Sequence, residues 1–540
     1  MTSVLKIKSA EWRFVFFLSL VVVTITIIPL IIGCLVQDEG HRFVGYVNNH
    51  EDMNSYFSWM KQAKDGNFLF EEKYSTEDFP RNIFIVYFLI GGFLSRFSGL
   101  SIVIVHQVMR VITGIILLFA SYAFCGYFIS DVLKRKVAFL LICFSSGFGF
   151  YFASLYHFFG FTVPNRWGLC DQNHPQAITF WGIDWTAHAM LTIAMMLVVF
   201  LLMIECLQKN DLKLAVYAGL LGAIINLIHP PKIVLIFLVI GSYSLYLVNK
   251  DRKKISRIAL GCIVYFFTSS LGMLPGLITI INNPLVRLYF RQPVFYNIFG
   301  YLLGIGFVAF VALWAICKII KERRDKYYFL AIWVICVLVL LQSPLGFRMR
   351  MTEGLHIALC VLCAMGLFWL FERWQWFKGS RLNKTGVIFV VSFVIVSSPS
   401  NLMHIINDVR KATKIEYPHF LSRDFENALK WMDENIPAEK AVLASREVGS
   451  FIPARTGMKT FVGHWAETLD IHHKTEKLNR FMSVHTSDRF RIELLKKNNI
   501  EYFLISEFER KLGGYDPAKS RFFKEIHRSG SVIVYLFDAV

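Results

Sequence analysis

The stretch WRFVFFLSLVVVTITIIPLIIGCLV, residues 12–36, is an apolar run long enough to cross a lipid bilayer. A membrane-spanning helix needs about 20 mainly apolar residues. This run is also too long for the apolar core of a signal peptide and lacks a small-residue cleavage site. The chain of 540 residues is 55% hydrophobic and only 18% charged, whereas soluble domains carry roughly 25% charged residues. The sequence therefore predicts an α-helical polytopic membrane protein whose first span is retained.

Further apolar runs follow, and together they predict about 11–13 transmembrane helices. The candidate spans are residues 12–36, 83–98, 101–129, 137–158, 186–206, 212–228, 231–248, 257–281, 297–319, 326–343, 355–371 and 386–403. No internal repeat relates one part of the sequence to another.

The net charge of +18 is concentrated in short basic clusters between the apolar runs. The clusters are KRK at 134–136, KDRKKISR at 250–257, KERRDK at 321–326 and ERWQWFKGSRLNK at 372–384. Short basic loops mark the cytoplasmic side, so they predict a multi-pass protein of the plasma (inner) membrane with a cytoplasmic N-terminus. A nucleic-acid-binding protein would concentrate its charge on one soluble face, so we expect no nucleic-acid partner.

The same rule assigns several loops, and the end of the chain, to the outer side. These are residues 37–80, 159–185, 282–296, 344–354 and everything after about 404. It also creates a conflict, because with the cluster at 134–136 inside, residues 83–129 cross only once although they hold two apolar runs. Either 83–98 is a re-entrant piece or the basic cluster is an exception, and both alternatives stay open.

After residue 404 charged residues alternate with short apolar runs, which is typical of a soluble domain. A helical stripe ends before Pro437 and begins at Ser422 or Asp424. Strand-like runs occupy residues 441–445, 459–463, 501–506 and 531–537. We therefore expect a transmembrane domain at 1–403, with its first outer loop at 37–80, and an extracytoplasmic α/β domain at 404–540.

The stretch NNHEDMNSYFSWMKQAKDGN, residues 48–67, follows the first span. Its apolar residues at helical spacing are Met53, Tyr56, Phe57 and Met60. They predict a short amphipathic helix at 53–65, lying along the membrane surface. Gly66 is the expected stop of this helix, and Asp52 is the expected N-cap.

The adjacent acids Glu51 and Asp52, with His50 beside them, are candidate catalytic residues as well as a helix start. At a membrane surface a carboxylate can deprotonate an attacking hydroxyl. Two neighbouring carboxylates can instead hold a divalent cation such as Mg²⁺ or Mn²⁺ through oxygen ligands. The pattern requires no cofactor, and the local sequence leaves capping, catalysis and metal binding open.

Candidate substrate-binding residues lie in two other loops. In PLGFRMRMTEGLH, residues 344–356, they are Arg348, Arg350, Glu353 and His356, and in NLIHPPKIV, residues 226–234, they are His229 and Lys232. Arginine suits bidentate phosphate contacts, and positive charge in a short outer loop runs against the usual bias, so a lipid phosphate would explain it. The alternatives are interfacial snorkelling or an Arg–Glu pair in the first loop and an ordinary double-proline turn in the second.

Two further groups of ionisable residues have open interpretations. The predicted outer loop 159–185 and the start of the next span hold Asp171, His174, Asp184 and His188, but their spacing matches no standard metal-ligand set. His106 and Arg110 lie one helical turn apart near the start of a span. Ionisable groups at membrane depth are functional candidates, and an intramembrane pairing is the alternative.

The order of these features resembles the GT-C superfamily of membrane glycosyltransferases. One span leads to a long outer loop with an early acidic motif, HED at 50–52, followed by a surface helix. FPRNIFIVYFLIGGFLSRFSGL at 79–100 looks like that family's second span, about a dozen spans follow, and a soluble outer domain closes the chain. The EGLH of 353–356 and the VGHWAET of 462–468 look like those of uncharacterised members.

The resemblance implies a polyprenyl-phosphate sugar as donor and a role for the first-loop acid as general base, sometimes with a metal. By position it implies Asp52 as the acid and Glu51 as its partner. The usual D-E or D-x-D order appears here as E-D, which leaves open which acid acts. Arg348 and Arg350 would take the part of the phosphate-holding cation.

These expectations define a glycosyltransferase that moves a hexose or pentose from a polyprenyl-phosphate carrier to a glycan, lipid or protein acceptor on the outer face. Membrane lipids are its other partners. One alternative is a transporter or flippase for a lipid-linked or small solute, although transporters usually show related halves and acids within their spans. The other is a non-catalytic membrane scaffold whose outer domain binds partners.

Overall fold

The fold is described from a computed structural model of the chain, which describes residues 7–162, 168–291, 297–378 and 381–538. Parts of two predicted outer loops, 159–185 and 282–296, therefore lie outside the described residues. Most of the described chain is α-helical. The strands are short and belong mainly to the C-terminal part.

The α-helices are α1 (Ser9–Val36), α2 (His50–Lys64), α3 (Val86–Ser98), α4 (Ile102–Phe128), α5 (Val132–Phe144), α6 (Gly149–Phe159), α7 (Cys170–Asn173), α8 (Thr179–Trp185), α9 (Ala187–Lys209), α10 (Leu212–Ile228), α11 (Lys232–Lys250), α12 (Ile255–Ser270), α13 (Leu274–Asn282), α14 (Pro284–Arg291), α15 (Ile298–Ile305), α16 (Phe307–Lys321), α17 (Tyr328–Leu341), α18 (Leu355–Arg373), α19 (Lys384–Val396), α20 (Pro399–Thr413), α21 (Arg423–Asn435), α22 (Arg446–Gly449), α23 (Ile452–Thr456), α24 (Ile471–Met482), α25 (Asp488–Lys497) and α26 (Glu507–Leu512). The strands are β1 (His41–Phe43), β2 (Phe377–Lys378), β3 (Arg381–Leu382), β4 (Phe420–Ser422), β5 (Ala441–Leu443), β6 (Lys459–Thr460), β7 (Ile500–Ile505), β8 (Phe523–Ser529) and β9 (Val532–Phe537).

The helices confirm the predicted polytopic membrane class. Among the described residues, 6 helices are long and apolar enough to cross a membrane, or up to 9 if each of 3 bent helix pairs forms one span. This number is lower than the predicted 11–13 because several predicted runs fold as short or bent helices. The run 297–319, for example, is divided into α15 and α16, which meet at an angle of 106°. Gly306 lies at this bend with a φ of +65°, a conformation that favours glycine.

The length of helix α3 helps to choose between the two alternatives that the sequence leaves open for residues 83–129. It has 13 residues, which corresponds to roughly 20 Å at 1.5 Å per residue. That length is below the roughly 30 Å of a hydrocarbon core and favours the re-entrant alternative for 83–98. Close packing of α3 on α2 requires Gly92, because a Cβ atom there would lie 2.4 Å from the backbone oxygen of Met60.

Contacts divide the chain into two compact units. The helical unit comprises Met1–Ile27, Val108–Gly276 and Phe290–Asn407, and the mixed unit comprises Ile28–Gln107, Leu277–Tyr289 and Asp408–Val540. The first predicted outer loop and the C-terminal segment therefore belong to one unit. The predicted division into domains at residue 403 stays a prediction.

The mixed unit contains a five-stranded sheet in its described part, in the order β6-β5-β7-β9-β8. Strands β6, β5 and β7 are parallel, while β9 is antiparallel to both of its neighbours. Four of the strands coincide with the predicted strand-like runs, and the edge strand β8 was not predicted. A separate antiparallel pair joins β1 to β4, with His41 opposite Ser422.

The apolar residues of the mixed unit explain these elements. Phe481 and Phe503 are fully buried in the core of the five-stranded sheet. Helix α21 begins where the sequence predicted, because the Ser422 side chain accepts a hydrogen bond from the backbone N–H of Phe425. It ends at Asn435, two residues before Pro437.

Candidate active site

Helix α2 carries the HED motif in its first turn. The helix begins at His50, and the residue before it, Asn49, has a φ of 45° and makes no side-chain cap. The prediction that Asp52 is the N-cap is therefore wrong, because Asp52 is the third residue of the helix. The positive end of the helix dipole favours acids at this position. The predicted stop is correct, since Gly66 has a φ of +104°.

The apolar stripe of α2 is buried inside the mixed unit. Met53, Phe57 and Met60 are at most 5% exposed, and α2 packs against α3 and α23. Polar residues of α2 are enclosed as well, since Asn54 accepts a hydrogen bond from Tyr46 at 2.7 Å. The helix is therefore enclosed on more sides than a helix lying along a membrane surface would be.

Glu51 is fully engaged by the C-terminal part of the mixed unit. The guanidinium of Arg446 donates to both carboxylate oxygens, at 2.9 Å from Nε to Oε1 and 3.0 Å from Nη2 to Oε2. The backbone N–H of Trp465 donates to Oε2 at 3.0 Å. Two parallel N–H contacts from one guanidinium hold a carboxylate in one orientation. The Glu51 side chain is only 12% exposed.

Asp52 is held by ring N–H groups and remains partly accessible. His464 Nε2 lies 3.2 Å from Asp52 Oδ1, and the indole Nε1 of Trp465 donates to the same oxygen at 3.4 Å. The side-chain amide of Asn49 donates to Oδ2 at 2.5 Å. The Asp52 side chain is 27% exposed, whereas that of His464 is 3% exposed.

The backbone around His464 determines which ring nitrogen carries hydrogen. The amides of Ala466 and Glu467 both donate to Nδ1, at 3.1 and 3.0 Å. An atom that accepts two N–H groups carries no hydrogen itself, so we assign the tautomer with hydrogen on Nε2. Burial opposes a charge on this ring, but the carboxylates of Glu467 and Asp52 raise the pKa of His464. His464 therefore donates through Nε2 to Asp52.

The turn at residues 463–468 presents this histidine. Thr468 Oγ1 accepts the N–H groups of Gly463 and His464 at 3.2 and 3.1 Å and donates to the carbonyl of Tyr74 at 2.8 Å. Gly449 in α22 and Gly463 in the turn allow the turn to lie against α22. A Cβ atom at Gly449, for example, would be 1.9 Å from a backbone oxygen. The VGHWAET motif is therefore the structural support of the acidic pair.

A pair of buried carboxyl groups lies behind His464. The hydroxyl of Ser55 donates to Glu467 at 2.5 Å. Burial raises the pKa of Glu72 well above its usual value, and the neighbouring charge of Glu467 raises it further. Burial also raises the pKa of Glu467. A charged Glu467 therefore disfavours ionisation of Glu72, whose pKa is the more strongly raised of the two.

The helical unit brings together candidate residues from two loops. Glu353 and Lys232 are both fully buried, with Lys232 Nζ 2.6 Å from Glu353 Oε2. His229 Nε2 lies 3.1 Å from Glu353 Oε1, and Arg350 lies 3.9 Å from the same oxygen. The predicted Arg–Glu pair is therefore present, within a larger buried cluster.

Other candidates in the helical unit have structural partners. His356 is 1% exposed and lies 3.0 Å from Ser145 Oγ and 2.9 Å from Thr179 Oγ1. Arg348 donates to the carbonyl of Ser343 at 3.2 Å. Both arginines of the 344–356 loop are half-buried.

The remaining ionisable groups also have protein partners. Arg110 forms an ion pair with Asp184 at 3.3 Å, which is the pairing that the sequence offered as the alternative to a functional role. Asp171 accepts from Ser400 at 2.7 Å, and His174 contacts Tyr301 at 3.1 Å. Within the described ranges no group of three or more His, Cys, Asp or Glu side chains is arranged to hold a metal ion.

Sequence reasoning missed three residues that the fold brings to the acidic pair: Arg446, His464 and Trp465. The VGHWAET motif was noted as part of the resemblance and within residues 445–468, a stretch with glycines and aromatics but no nucleotide-binding pattern. A histidine, an exposed-type tryptophan and a glutamate within four residues of a glycine were a usable signal. For Arg446, the sequence offered none.

No protein family and no curated protein matches the chain, but solved structures share its fold. The oligosaccharyltransferase AglB from Archaeoglobus fulgidus, in complex with an inhibitory peptide and a dolichol-phosphate, is 13% identical, with 92% of this chain and 70% of AglB covered and a TM-score of 0.56. ArnT from Cupriavidus metallidurans, bound to undecaprenyl phosphate, is 13% identical, with 98% of each chain covered and a TM-score of 0.50.

The arabinofuranosyltransferase AftD from Mycobacteria is 10% identical, with 98% of this chain but only 40% of AftD covered and a TM-score of 0.55. Another structure of the Archaeoglobus oligosaccharyltransferase is a complex with Zn and sulfate, at 13% identity, 90% and 67% coverage and a TM-score of 0.54. These structural neighbours are GT-C glycosyltransferases. The predicted GT-C fold is therefore confirmed.

Proposed function

We propose that the protein is a membrane glycosyltransferase that moves a sugar from a polyprenyl-phosphate carrier to an acceptor. The observation that carries this proposal is the partly exposed carboxylate of Asp52, held by His464 and Trp465 in a GT-C fold. Two structural neighbours support the choice of donor, because they were solved with dolichol-phosphate and undecaprenyl phosphate. An acceptor peptide bound to a third structure makes a protein acceptor a reasonable candidate beside glycans and lipids.

Asp52 is the better candidate for the general base. Both oxygens of Glu51 accept hydrogen bonds from Arg446 and its side chain is 12% exposed, whereas the Asp52 side chain is 27% exposed. In the proposed reaction the acceptor hydroxyl transfers its proton to Asp52 and its oxygen forms a bond to the anomeric carbon. The bond from that carbon to the phosphate oxygen breaks, and the polyprenyl phosphate leaves.

In the helical unit, Arg348 and Arg350 are the proposed phosphate contacts. Their guanidinium groups can stabilise the negative charge that develops on a departing phosphate. Glu353 lies 3.9 Å from Arg350 and can hold that arginine in place. The proposed supporting residues behind this loop are the buried His229, Lys232, Glu353 and His356.

The predicted divalent cation at Glu51 and Asp52 does not suit the geometry of the pair. Mg²⁺ and similar cations bind carboxylate oxygens directly, whereas the Arg446 guanidinium and the Trp465 amide already lie against the two oxygens of Glu51 and donate three hydrogen bonds to them. We therefore derive no step through a metal ion. A dependence on added Mg²⁺ or Mn²⁺ would be measured by transfer with and without a chelator.

We also propose the orientation that the basic loops predict, with the N-terminus in the cytoplasm and residues 404–540 outside the plasma (inner) membrane. The acidic pair belongs to the same unit as that C-terminal segment. Labelling of single cysteines, introduced in a cysteine-free variant at exposed positions, by an impermeant reagent in intact cells measures this orientation.

The base assignment is tested with Asp52→Asn. Asparagine keeps an acceptor for His464 but cannot take a proton, so transfer should fall by about 10²–10⁴-fold with unchanged folding. Asp65→Asn is the matched control, because Asp65 is at the other end of α2 and pairs with Lys61 at 2.9 Å.

The assay follows release of undecaprenyl phosphate from a set of undecaprenyl-phosphate hexoses and pentoses, with native membranes as the acceptor source. Near-normal transfer by the Asp52→Asn variant would rule out the general-base role. If the wild-type protein consumed no donor from the set, the enzyme class itself would be rejected in favour of a scaffold or transporter.

A further inference from the structure

The ring of His464 joins two parts of the mixed unit that are distant in sequence. Its Nε2 lies 3.2 Å from Asp52 Oδ1, across 412 residues of chain. Its Nδ1 accepts the amides of Ala466 and Glu467. The His464 side chain is only 3% exposed, so water has little access to these contacts. Such a ring has one available proton, and that proton points at the carboxylate.

We propose that His464 is a positioning residue for glycosyl transfer, which holds the Asp52 carboxylate in the orientation needed to accept the acceptor's hydroxyl proton. This proposal rests on the proposed function. The ring acts through Asp52 and does not touch the substrate.

The hydrogen bonds also exclude a second role for the ring. A histidine that relays a proton must release it from one nitrogen and accept it at the other. Here Nδ1 accepts two backbone amides, which occupy the positions that a proton acceptor would need. The proton received by Asp52 therefore leaves to solvent from the exposed part of the carboxylate. His464 serves as a fixed donor.

The surroundings of the ring show how it is held. Thr468 Oγ1 accepts the His464 amide at 3.1 Å, and the buried ring of Tyr74 lies beside the imidazole, with ring centres 5.5 Å apart. Trp465 adds a longer N–H contact to Asp52 at 3.4 Å. A catalytic carboxylate held by enclosed, mutually supported groups is preorganised, which reduces the reorganisation needed during reaction.

Two substitutions separate positioning from a structural role, because each keeps one half of the histidine. In His464→Gln the side-chain amide nitrogen can occupy the place of Nε2 and donate to Asp52. In His464→Asn the side-chain oxygen can occupy the place of Nδ1 and accept the amides of Ala466 and Glu467. The Gln and Asn variants both have an uncharged side-chain amide, so they differ mainly in which nitrogen of the histidine they replace.

We expect kcat of the Gln variant to exceed that of the Asn variant by about tenfold or more, with the KM for the undecaprenyl-phosphate sugar unchanged in both. The Asn variant should be the more thermally stable of the two. Equal kcat values, or a higher kcat for Asn, would overturn the proposal and leave His464 as a support of the turn.

If both variants fail to fold, Thr468→Val and Thr468→Ser test the same proposal at the residue whose hydroxyl accepts the His464 amide. Valine has the shape of threonine but cannot accept the His464 amide, so kcat should fall in Val and stay higher in Ser. Equal kcat values would again overturn the proposal. Failure of the proposed function is seen separately, because the wild-type protein would then consume no undecaprenyl-phosphate sugar. Failure of the base assignment would appear as transfer retained by Asp52→Asn, whatever the His464 variants do.

Discussion

Replacing Glu353 by leucine should destabilise the helical unit strongly. Glu353 and Lys232 are both fully buried, and their charged atoms are 2.6 Å apart. Without the carboxylate, the buried Lys232 ammonium retains, in the described part of the chain, its hydrogen bond to the carbonyl of Ala189 at 3.3 Å. His229 loses its contact to Glu353 as well.

The magnitude follows from the burial of both charges. Removing one partner of a buried ion pair lowers the free energy of unfolding by about 3–5 kcal/mol, because the other charge stays desolvated. In a large domain each kcal/mol lowers the melting temperature by roughly 2 °C, so we expect a decrease of roughly 6–10 °C. Glu353→Leu combined with Lys232→Met should recover most of this loss, since the fully buried ammonium is then absent as well.

The assay is thermal unfolding of the purified protein in detergent micelles, followed by intrinsic tryptophan fluorescence. Glu322→Leu is the control, because the Glu322 side chain is 40% exposed and an exposed pair contributes at most about 1 kcal/mol. An unchanged melting temperature for Glu353→Leu would refute the reasoning. So would a double variant that is no more stable than Glu353→Leu alone.

Two further predictions concern the mixed unit. Phe481→Ala should lower the free energy of unfolding by about 3–5 kcal/mol, because Phe481 is 0% exposed in the sheet core. Hydrogen exchange of the β7 amides measures this loss. The control Val484→Ala, at a site that is 60% exposed, should leave the exchange unchanged. Burial lowers the pKa of His419 to about 4 from 6.5. The unfolded chain therefore binds the proton first as pH falls, so stability should decline from pH 6.5 toward pH 4. Melting temperatures measured across this range should decline less in His419→Gln; an equal decline would assign the acid sensitivity to other groups.

Local patterns predicted much of the fold. The apolar stripe of Met53, Phe57 and Met60 predicted a helix, and these residues are buried on α2. Ser422 predicted the start of α21 and caps it. Such features depend on periodicity and on side chains within one turn, so a single stretch of sequence contains the information.

The helix boundaries and the number of spans were less predictable. The α2 helix starts at His50, after Asn49, which has a left-handed backbone conformation and makes no side-chain cap. A capping pattern in the sequence therefore could not predict this start. The bend between α15 and α16 at Gly306 divides a run that is continuous in its apolar character. Hydropathy measures composition and does not detect a change of direction.

The sequence by itself determined that this is a helical membrane protein with an acidic motif after its first span, because apolar runs and adjacent acids are local features. Only the tertiary structure decided which partners each acid has. Glu51 meets Arg446 across 395 residues, and Asp52 meets His464 across 412. The two acids are neighbours in the chain, but they differ in their partners, because one accepts hydrogen bonds from a guanidinium and the other from an imidazole ring. Such partners are chosen by the packing of distant segments, which no local pattern encodes.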